Sequence, residues 1–264
     1  FLYFSLTSPH SPIVPDAEFI GKGQVPGSVY ADWIYQTDWV LGQVEQAIKD
    51  AGIRDNTILI FSTDNGTEIS FAKKNWPDSA ATFNYSVRGK KRELYEGGHR
   101  VPLIVRWPGH LTEGTTSQAM ACLTDIYPTL ESITGQTKTD TGGEDGFDLS
   151  PVFQGEKSSD RETLISHSIG GSFAIRKGPW KLCISRGSGG WSAPREPDAR
   201  KQGLPAMQLF NLKQDRAETE NLIEKNPAKA QELLRILEEE IAAGRCSPGK
   251  PVPNDRKVVF MPKG

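Results

Sequence analysis

Four apolar residues, Ile58-Leu59-Ile60-Phe61, run into the polar segment Ser62-Thr63-Asp64-Asn65-Gly66. A continuous apolar run of that length, bounded by a turn signal, predicts a buried strand. The chain opens on the same design: Phe1-Leu2-Tyr3-Phe4-Ser5-Leu6 precedes Thr7-Ser8-Pro9-His10-Ser11-Pro12. A third apolar run, 101–107, follows the Gly97-Gly98 pair. Between the first two runs, Tyr30, Ile34, Leu41, Val44 and Ile48 recur at helical spacing, which predicts an amphipathic helix. Ser28 is placed to cap it and Gly52 to stop it. Strand, helix and strand in succession predict a right-handed crossover. The expected fold class is therefore α/β, with part of a largely parallel sheet flanked by helices.

The pattern changes along the chain. Residues 68–88 show no period and read as a long loop. Residues 124–135 read as a short helix, with Thr124 as cap and Gly135 as stop. The segment 136–148, rich in Thr, Gly and Asp, reads as a linker. Beyond it come short strand-like runs at 163–166, 173–176, 180–185 and 208–212, with Lys177-Gly178-Pro179 as a hairpin-like turn. Residues 227–243 predict a helix with Ala230, Leu233, Leu237 and Ile241 on one stripe, Asn226 as cap and Pro227 in its first turn. The tail, 244–264, has five basic residues, four prolines and no period, and is expected to be a surface arm. Two domains follow, 1–140 and a smaller α+β unit at 141–264 with a basic tail.

Composition narrows the function. With 264 residues the chain is long enough to bury a sizeable core. Lys plus Arg total 31 against 33 acids, which gives no polybasic surface for nucleic acid or membrane. No apolar stretch approaches the roughly 18 residues of a membrane helix. Three cysteines are too few for a disulfide framework. Cys122 and Cys183 sit in apolar runs and read as core thiols.

Strand ends in open α/β sheets are where ligands sit. Asp64 and Asn65 there offer two hard oxygen ligands for calcium or magnesium; the same residues also make an ordinary tight turn. His10 carries an imidazole, a side chain suited to donating a proton, or is a histidine in a proline-rich turn. Lys90, Lys91 and Arg92 form a basic loop that either binds an anion or is simply solvated. His167, ahead of Gly170-Gly171, and Trp191, in the loop 186–192, are candidates for substrate contact; a plain surface loop accounts for Trp191 equally well.

Three segments in this order carry a resemblance: Pro9-His10-Ser11-Pro12, Asp64-Asn65-Gly66, and the run Arg88-Gly89-Lys90-Lys91-Arg92-Glu93-Leu94-Tyr95-Glu96-Gly97-Gly98-His99-Arg100-Val101-Pro102 continuing to Trp107-Pro108-Gly109. Together they resemble the sulfatase family, the formylglycine-dependent sulfuric ester hydrolases of the alkaline-phosphatase superfamily. The resemblance covers roughly 1–135 closely and the remainder more loosely. It implies that 1–140 is the C-terminal part of the catalytic α/β domain, and that 141–264 is the smaller domain with an antiparallel sheet and a C-terminal helix. It implies Asp64 and Asn65 as calcium ligands, Lys91 as the sulfate-contacting lysine with Lys90 as the alternative register, and His10 as the histidine that bonds the sulfate and protonates the leaving oxygen. Glu96, Gly97, Gly98 and Arg100 are structural in this reading, with Arg100 paired to a carboxylate. His99 stands where the family is usually apolar. The implied substrate is an aryl or carbohydrate sulfate ester, and the implied compartment is periplasmic, secreted or lysosomal.

Two family features do not occur. No Asp-Asp pair is present. The formylglycine segment, Cys/Ser-x-Pro-x-Arg, has one near match, Cys246-Ser247-Pro248-Gly249-Lys250, which ends in Lys and follows the metal motif instead of preceding it; it reads as a decoy. The expectation is that the chain is cut from something longer, with the missing N-terminal part of the same protein as partner. The chain alone is expected to bind calcium weakly or not at all and to be inactive. A phosphate or phosphonate ester hydrolase of the same superfamily, and a non-catalytic binding module retaining the fold, are the competing readings. Asn65-Gly66-Thr67 and Asn84-Tyr85-Ser86 match the glycosylation pattern formally.

Overall fold

The computed structural model describes residues 1–68, 87–136, 142–156 and 158–260. The loop expected at 68–88 and the motif at Asn84 lie almost wholly outside them, as does part of the linker.

Packing divides the chain into two compact units. The first comprises 1–61, 67–86 and 104–109; the second comprises 62–66, 87–103 and 110–264.

In the first unit, helix α1 spans Val29–Asp50. Ser28 caps it, its side chain accepting from the Ala31 amide at 3.2 Å. Gly52 follows with φ +68°, a conformation that glycine adopts without steric cost. Its buried face in the first turns is Tyr30, Trp33 and Thr37, while Ile34 is exposed. The Phe19 ring lies 6.2 Å from Tyr35 and 5.3 Å from Trp39. The carboxylate of Asp32 accepts from the Gly23 amide at 2.7 Å. Strands β1 (Leu59–Ser62) and β2 (Leu103–Arg106) pair in a two-stranded sheet.

The largely parallel sheet is not found. Strand β1 has β2 as its neighbour and is only half-buried along its length. Phe1-Leu2-Tyr3-Phe4 forms no strand and all four side chains are exposed. A buried parallel sheet needs ladders on both edges of each inner strand, and among the described residues β1 and β2 pair only with each other. The described strands instead form two small sheets flanked by helices, the larger of them antiparallel.

That larger sheet organises the second unit. It is four-stranded in the order β3 (Thr163–His167), β4 (Phe173–Lys177), β5 (Trp180–Cys183), β6 (Gln208–Asn211). Each strand is antiparallel to the next, with His167 opposite Phe173, Lys177 opposite Trp180, and Trp180 opposite Asn211. Side chains alternate across a sheet, and both faces are used. On one face Ile175, Leu182 and Leu209, all fully buried, meet Leu233 and Leu237 of a C-terminal helix spanning Pro227–Ala243. Gly244, at φ +65°, ends that helix. On the other face Ala174, Cys183 and Phe210 meet Leu94 and Tyr95 of the basic loop. Register thus sends every second residue of β4, β5 and β6 toward the candidate site.

The tail is not a free arm. Arg245 is buried, its guanidinium bonding the carbonyls of Ser247 (2.8 Å), Pro248 (2.9 Å) and Lys250 (3.0 Å). Phe260 packs edge-on to Phe173 with ring centroids 6.4 Å apart. A buried guanidinium with five donors to satisfy draws the following carbonyls around itself, an effect invisible to a reading by hydrophobic period. Among the described residues no helix is long and apolar enough to cross a membrane.

Candidate functional site

The basic loop is fixed to the sheet at several points. The Tyr95 hydroxyl donates to Gln208 Oε1 at 3.0 Å, and its ring stacks edge-on to Phe210. The Arg88 guanidinium lies 4.0 Å above the Tyr95 ring. The Leu94 amide donates to the Ser188 carbonyl at 2.9 Å. Then one helical turn, Glu96–His99, carries the glycine pair. Both glycines are required by close approach. A Cβ on Gly97 would lie 2.4 Å from the Gly89 carbonyl oxygen, and one on Gly98 would lie 2.4 Å from that of Glu93.

The turn after β1 is built against this helical turn. The Gly66 amide donates to the Gly98 carbonyl at 3.0 Å, and a Cβ on Gly66 would sit 1.8 Å from the Gly97 carbonyl oxygen. Asp-Asn-Gly and Glu-Gly-Gly are therefore two halves of one interlocked structure. Asp64 is exposed, and Asn65 donates from Nδ2 to the Gly66 carbonyl at 2.9 Å.

Beneath them lies a buried charge cluster of which sequence reasoning saw only Glu96 and the pairing of Arg100 with a carboxylate. Lys181 on β5 places Nζ 3.0 Å from Glu96 Oε1 and 3.0 Å from Glu218 Oε1. Glu218 Oε2 accepts from the Glu96 amide at 2.7 Å. Arg176 on β4 approaches Glu96 at 3.3 Å, and Arg100 at 3.5 Å. Glu218 is fully buried at φ +52°. Burial raises the Glu96 carboxyl, but Lys181 and Arg176 outweigh it and the net shift is downward. For Glu218 burial wins over Lys181 and the shift is upward. Burial lowers the Lys181 ammonium, yet the carboxylates of Glu96 and Glu218 more than reverse it. For the rest of it, the only sequence signal was Lys181 within the apolar run Trp180-Lys181-Leu182-Cys183, a charge at a core-facing register position.

Lys91 and Trp191 belong to the second unit with Asp64, Asn65 and His167, and His10 belongs to the first. Lys91 is half-buried and makes no ion pair among the described residues. Arg92 stacks on Trp191 with Cζ 4.0 Å from the ring centroid. The Ile169 amide donates to the Arg92 carbonyl at 3.1 Å, so the turn after His167 is joined to the same loop. His167 is exposed, with Nδ1 3.2 Å from the Ser168 carbonyl. His10 is exposed, with Nδ1 2.9 Å from the Ser11 carbonyl, and its own carbonyl accepts from Trp33 Nε1 at 3.2 Å.

Residues 1–136, just over half of the chain, match the protein-family model described as Sulfatase. The chain belongs to the sulfatase family. It is 29% identical over 245 residues to an N-acetylgalactosamine-6-O-sulfatase of Bacteroides thetaiotaomicron, covering 90% of this chain and 46% of that protein. It is likewise 29% identical over 250 residues to human arylsulfatase A, covering 90% and 47%. The chain thus spans about half the length of the curated relatives it matches. A solved structure described under the metabolism of multiple glycosaminoglycans by Bacteroides thetaiotaomicron superposes with a TM-score of 0.71 at 28% identity, over 88% of this chain and 48% of that one. A structure of Ps i-CgsB in complex with a neocarrahexaose reaches the same TM-score at 23% identity, over 93% and 50%, which shows the likeness of fold alone.

Among the described residues no group of three or more His, Cys, Asp or Glu side chains comes together to hold a metal ion. Asp64 and Asn65 fit a calcium ion as a partial set. The carboxylate is exposed, and the Asn65 amide, by donating from Nδ2, keeps its oxygen for another partner. Calcium takes six to eight oxygens, so two do not complete a site.

The segment Cys246-Ser247-Pro248-Gly249-Lys250 is the loop wound around Arg245. A Cβ on Gly249 would meet that guanidinium at 2.3 Å. Burial and the adjacent carboxylates of Glu240 and Asp145 push the Cys246 thiol well above its usual range. A thiol held protonated is a poor nucleophile.

His99 is packed into the helical turn. Burial, then the Lys181 ammonium, depress its pKa from 6.5 to about 4, so it folds neutral. Between those values the unfolded chain binds the proton that the folded chain refuses. Stability is present above pH 6.5 and lost as pH falls toward 4. The expected loss is on the order of 2–3 kcal/mol. Urea midpoints measured from pH 7 to pH 4 should fall less for His99→Leu than for the parent; parallel curves would refute the assignment.

Proposed function

We propose that this chain supplies part of the anion-binding site of a sulfuric ester hydrolase. Lys91 holds a nonbridging sulfate oxygen as a compact point charge. His10, by virtue of its Pro-His-x-Pro motif, bonds the sulfate and delivers a proton to the leaving oxygen. Asp64 and Asn65 contribute two ligands to a calcium ion, with magnesium as the alternative; a bound cation would neutralise charge on the ester. His167 and Trp191 contact the group that carries the ester. The nucleophile, a formylglycine, is expected on a segment upstream of Phe1 in the same protein. Lys181, Glu96 and Glu218 touch no substrate in this reading. They hold the helical turn on which Gly66, and with it Asp64 and Asn65, is seated.

The observation that carries the reading is the placement of Lys91. It lies on a loop held by Arg88 to the Glu218 carbonyl, by Leu94 to the Ser188 carbonyl and by Tyr95 to Gln208, in the same compact unit as the Asp64-Asn65 turn, with no carboxylate paired to it among the described residues. The family and the activities of its relatives, an aryl and a carbohydrate sulfatase, support the substrate class.

The test compares the 264-residue chain with the same chain joined to an N-terminal portion bearing Cys/Ser-x-Pro-x-Arg. Both are assayed with an aryl sulfate, a sulfated N-acetylgalactosamine and an aryl phosphate, with and without calcium. Turnover of a sulfate ester by the joined protein, weakened by chelation, is expected, and none by the chain alone. Preference for the phosphate would move the reading to the phosphoesterase class. Absence of all turnover and of calcium affinity in the joined protein would leave a binding module.

A further inference from the structure

We propose that Glu218 is a positioning residue for Lys91: it closes the neck of the loop that presents the lysine and so fixes where the ammonium stands. This rests on the sulfate-ester reading. It adds to that reading a residue outside 1–136, the part matched by the family model, on which the geometry of the site depends.

The loop 88–97 closes on itself. The Gly97 amide donates to the Arg88 carbonyl at 2.7 Å, so the chain enters and leaves the loop at one place. Lys91 lies on the part between. Glu218 binds both sides of that neck. Its carbonyl accepts from Arg88 Nη1 at 2.7 Å, and its Oε2 accepts from the Glu96 amide at 2.7 Å. Its other carboxylate oxygen lies 3.0 Å from Lys181 Nζ, which ties the neck to β5. One residue thus supplies a main-chain acceptor to one side and a side-chain acceptor to the other.

The conformation of Glu218 is an uncommon one. Its φ is +52°, a region that residues with a side chain seldom occupy. Asp215 holds the turn in that shape. Its carbonyl accepts from the Glu218 amide at 3.3 Å, and its carboxylate accepts from the amides of Thr219 (2.7 Å) and Glu220 (2.8 Å). A glycine would make the same turn without steric cost, but would lack the oxygen that the Glu96 amide uses. Strain kept where glycine would relieve it points to a use for the side chain.

The consequence for Lys91 is geometric. A lysine stem carries much rotamer freedom, and a loop with an open neck would add that of the backbone. Misplacing a reacting group by about 1 Å can cost about 10²-fold in rate. Loss of either Glu218 contact opens the neck without touching the ester.

The experiment is a double-mutant cycle in the joined protein, with an aryl sulfate as substrate. Glu218→Ala should lower kcat by about 10–100-fold, with KM changed by no more than a few fold. Glu218→Ala combined with Lys91→Ala should lose no more than Lys91→Ala alone, because a misplaced lysine adds nothing to an absent one. Arg88→Met opens the other side of the neck and keeps an apolar stem over Tyr95. It should show the same coupling, and it carries the cycle if Glu218→Ala does not fold. Amide exchange in the 264-residue chain is the structural control. Glu218→Ala should speed exchange across 88–98 and leave β3, β4 and the helix at 227–243 protected. Losses that multiply, or a kcat unchanged within a few fold in both Glu218→Ala and Arg88→Met, overturn the positioning role and leave the sulfate-ester reading standing. No turnover of any sulfate ester by the joined parent overturns both.

Discussion

Lys181→Met should be the most damaging single substitution in the second unit, lowering its stability by about 3–5 kcal/mol. The substitution removes the ammonium shared by Glu96 and Glu218, whose side chains are 9% and 0% exposed, and strands the Glu218 carboxylate out of water, while Glu96 keeps only Arg176 and Arg100. Removing one partner of a buried ion cluster costs that much because the remaining charge is uncompensated. Two outcomes follow beyond unfolding. Both carboxyl groups should take up protons at higher pH than in the parent, so the variant should be least stable relative to the parent near neutral pH and recover partly on acidification. The double variant Lys181→Met with Glu218→Gln should be more stable than Lys181→Met alone, since one stranded charge is gone. Chemical denaturation from pH 5 to pH 8 reads both effects. A loss below about 1 kcal/mol, flat with pH, would mean that Lys181 is held by packing and not by charge.

The legible parts of the fold are those in which one side chain per turn or per register step faces a core. The helix at 227–243 was readable to the residue because Ala230, Leu233 and Leu237 really do pack on the sheet. The strands at 163–167, 173–177, 180–183 and 208–211 lie within two residues of their expected bounds. The short helix at Ile126–Ile133 was also expected, but its entry is held by Asp125, which accepts from the amides of Cys122 and Phe147 and pairs with buried Arg161. A carboxylate that organises residues 20 to 40 positions away has no local signature.

The largely parallel sheet failed for a related reason. Apolar runs state that a segment is buried, not against what, and a continuous run fits several partners. Phe1–Leu6 has the composition of a strand, yet a strand exists only where a ladder does. At the candidate site the sequence pointed to polar groups and missed most of the buried cluster that supports them. Asp64, Asn65 and Lys91 are conspicuous as polar groups after apolar runs. Lys181, Glu218 and the stacking of Arg92 on Trp191 arise from register and from contacts about 100 residues apart, which no spacing rule reaches.

The register of the basic loop can be settled by activity. In the protein completed by the nucleophile segment, Lys91→Ala should lower kcat for a sulfate ester by about 10²–10³-fold, the usual effect of removing one preorganised charge at a developing anion. Lys90→Ala should change it by no more than a few fold. The two lysines are adjacent, so general loss of positive charge affects both alike, and their difference isolates the contact. The backbone separates them as well: the Lys90 carbonyl accepts from the Glu93 amide at 3.1 Å and begins the turn that presents Lys91 and Arg92. Lys91→Arg should recover only a small part of the rate, because a planar fork does not reproduce a compact ammonium at one oxygen. Because the interaction strengthens as the ester bond breaks, the loss should lie mainly in kcat and less in KM. If instead Lys90→Ala carries the large loss, the contact lies one residue earlier. If neither lysine matters beyond a few fold, the anion is held by other groups and Lys91 belongs to a solvated basic loop.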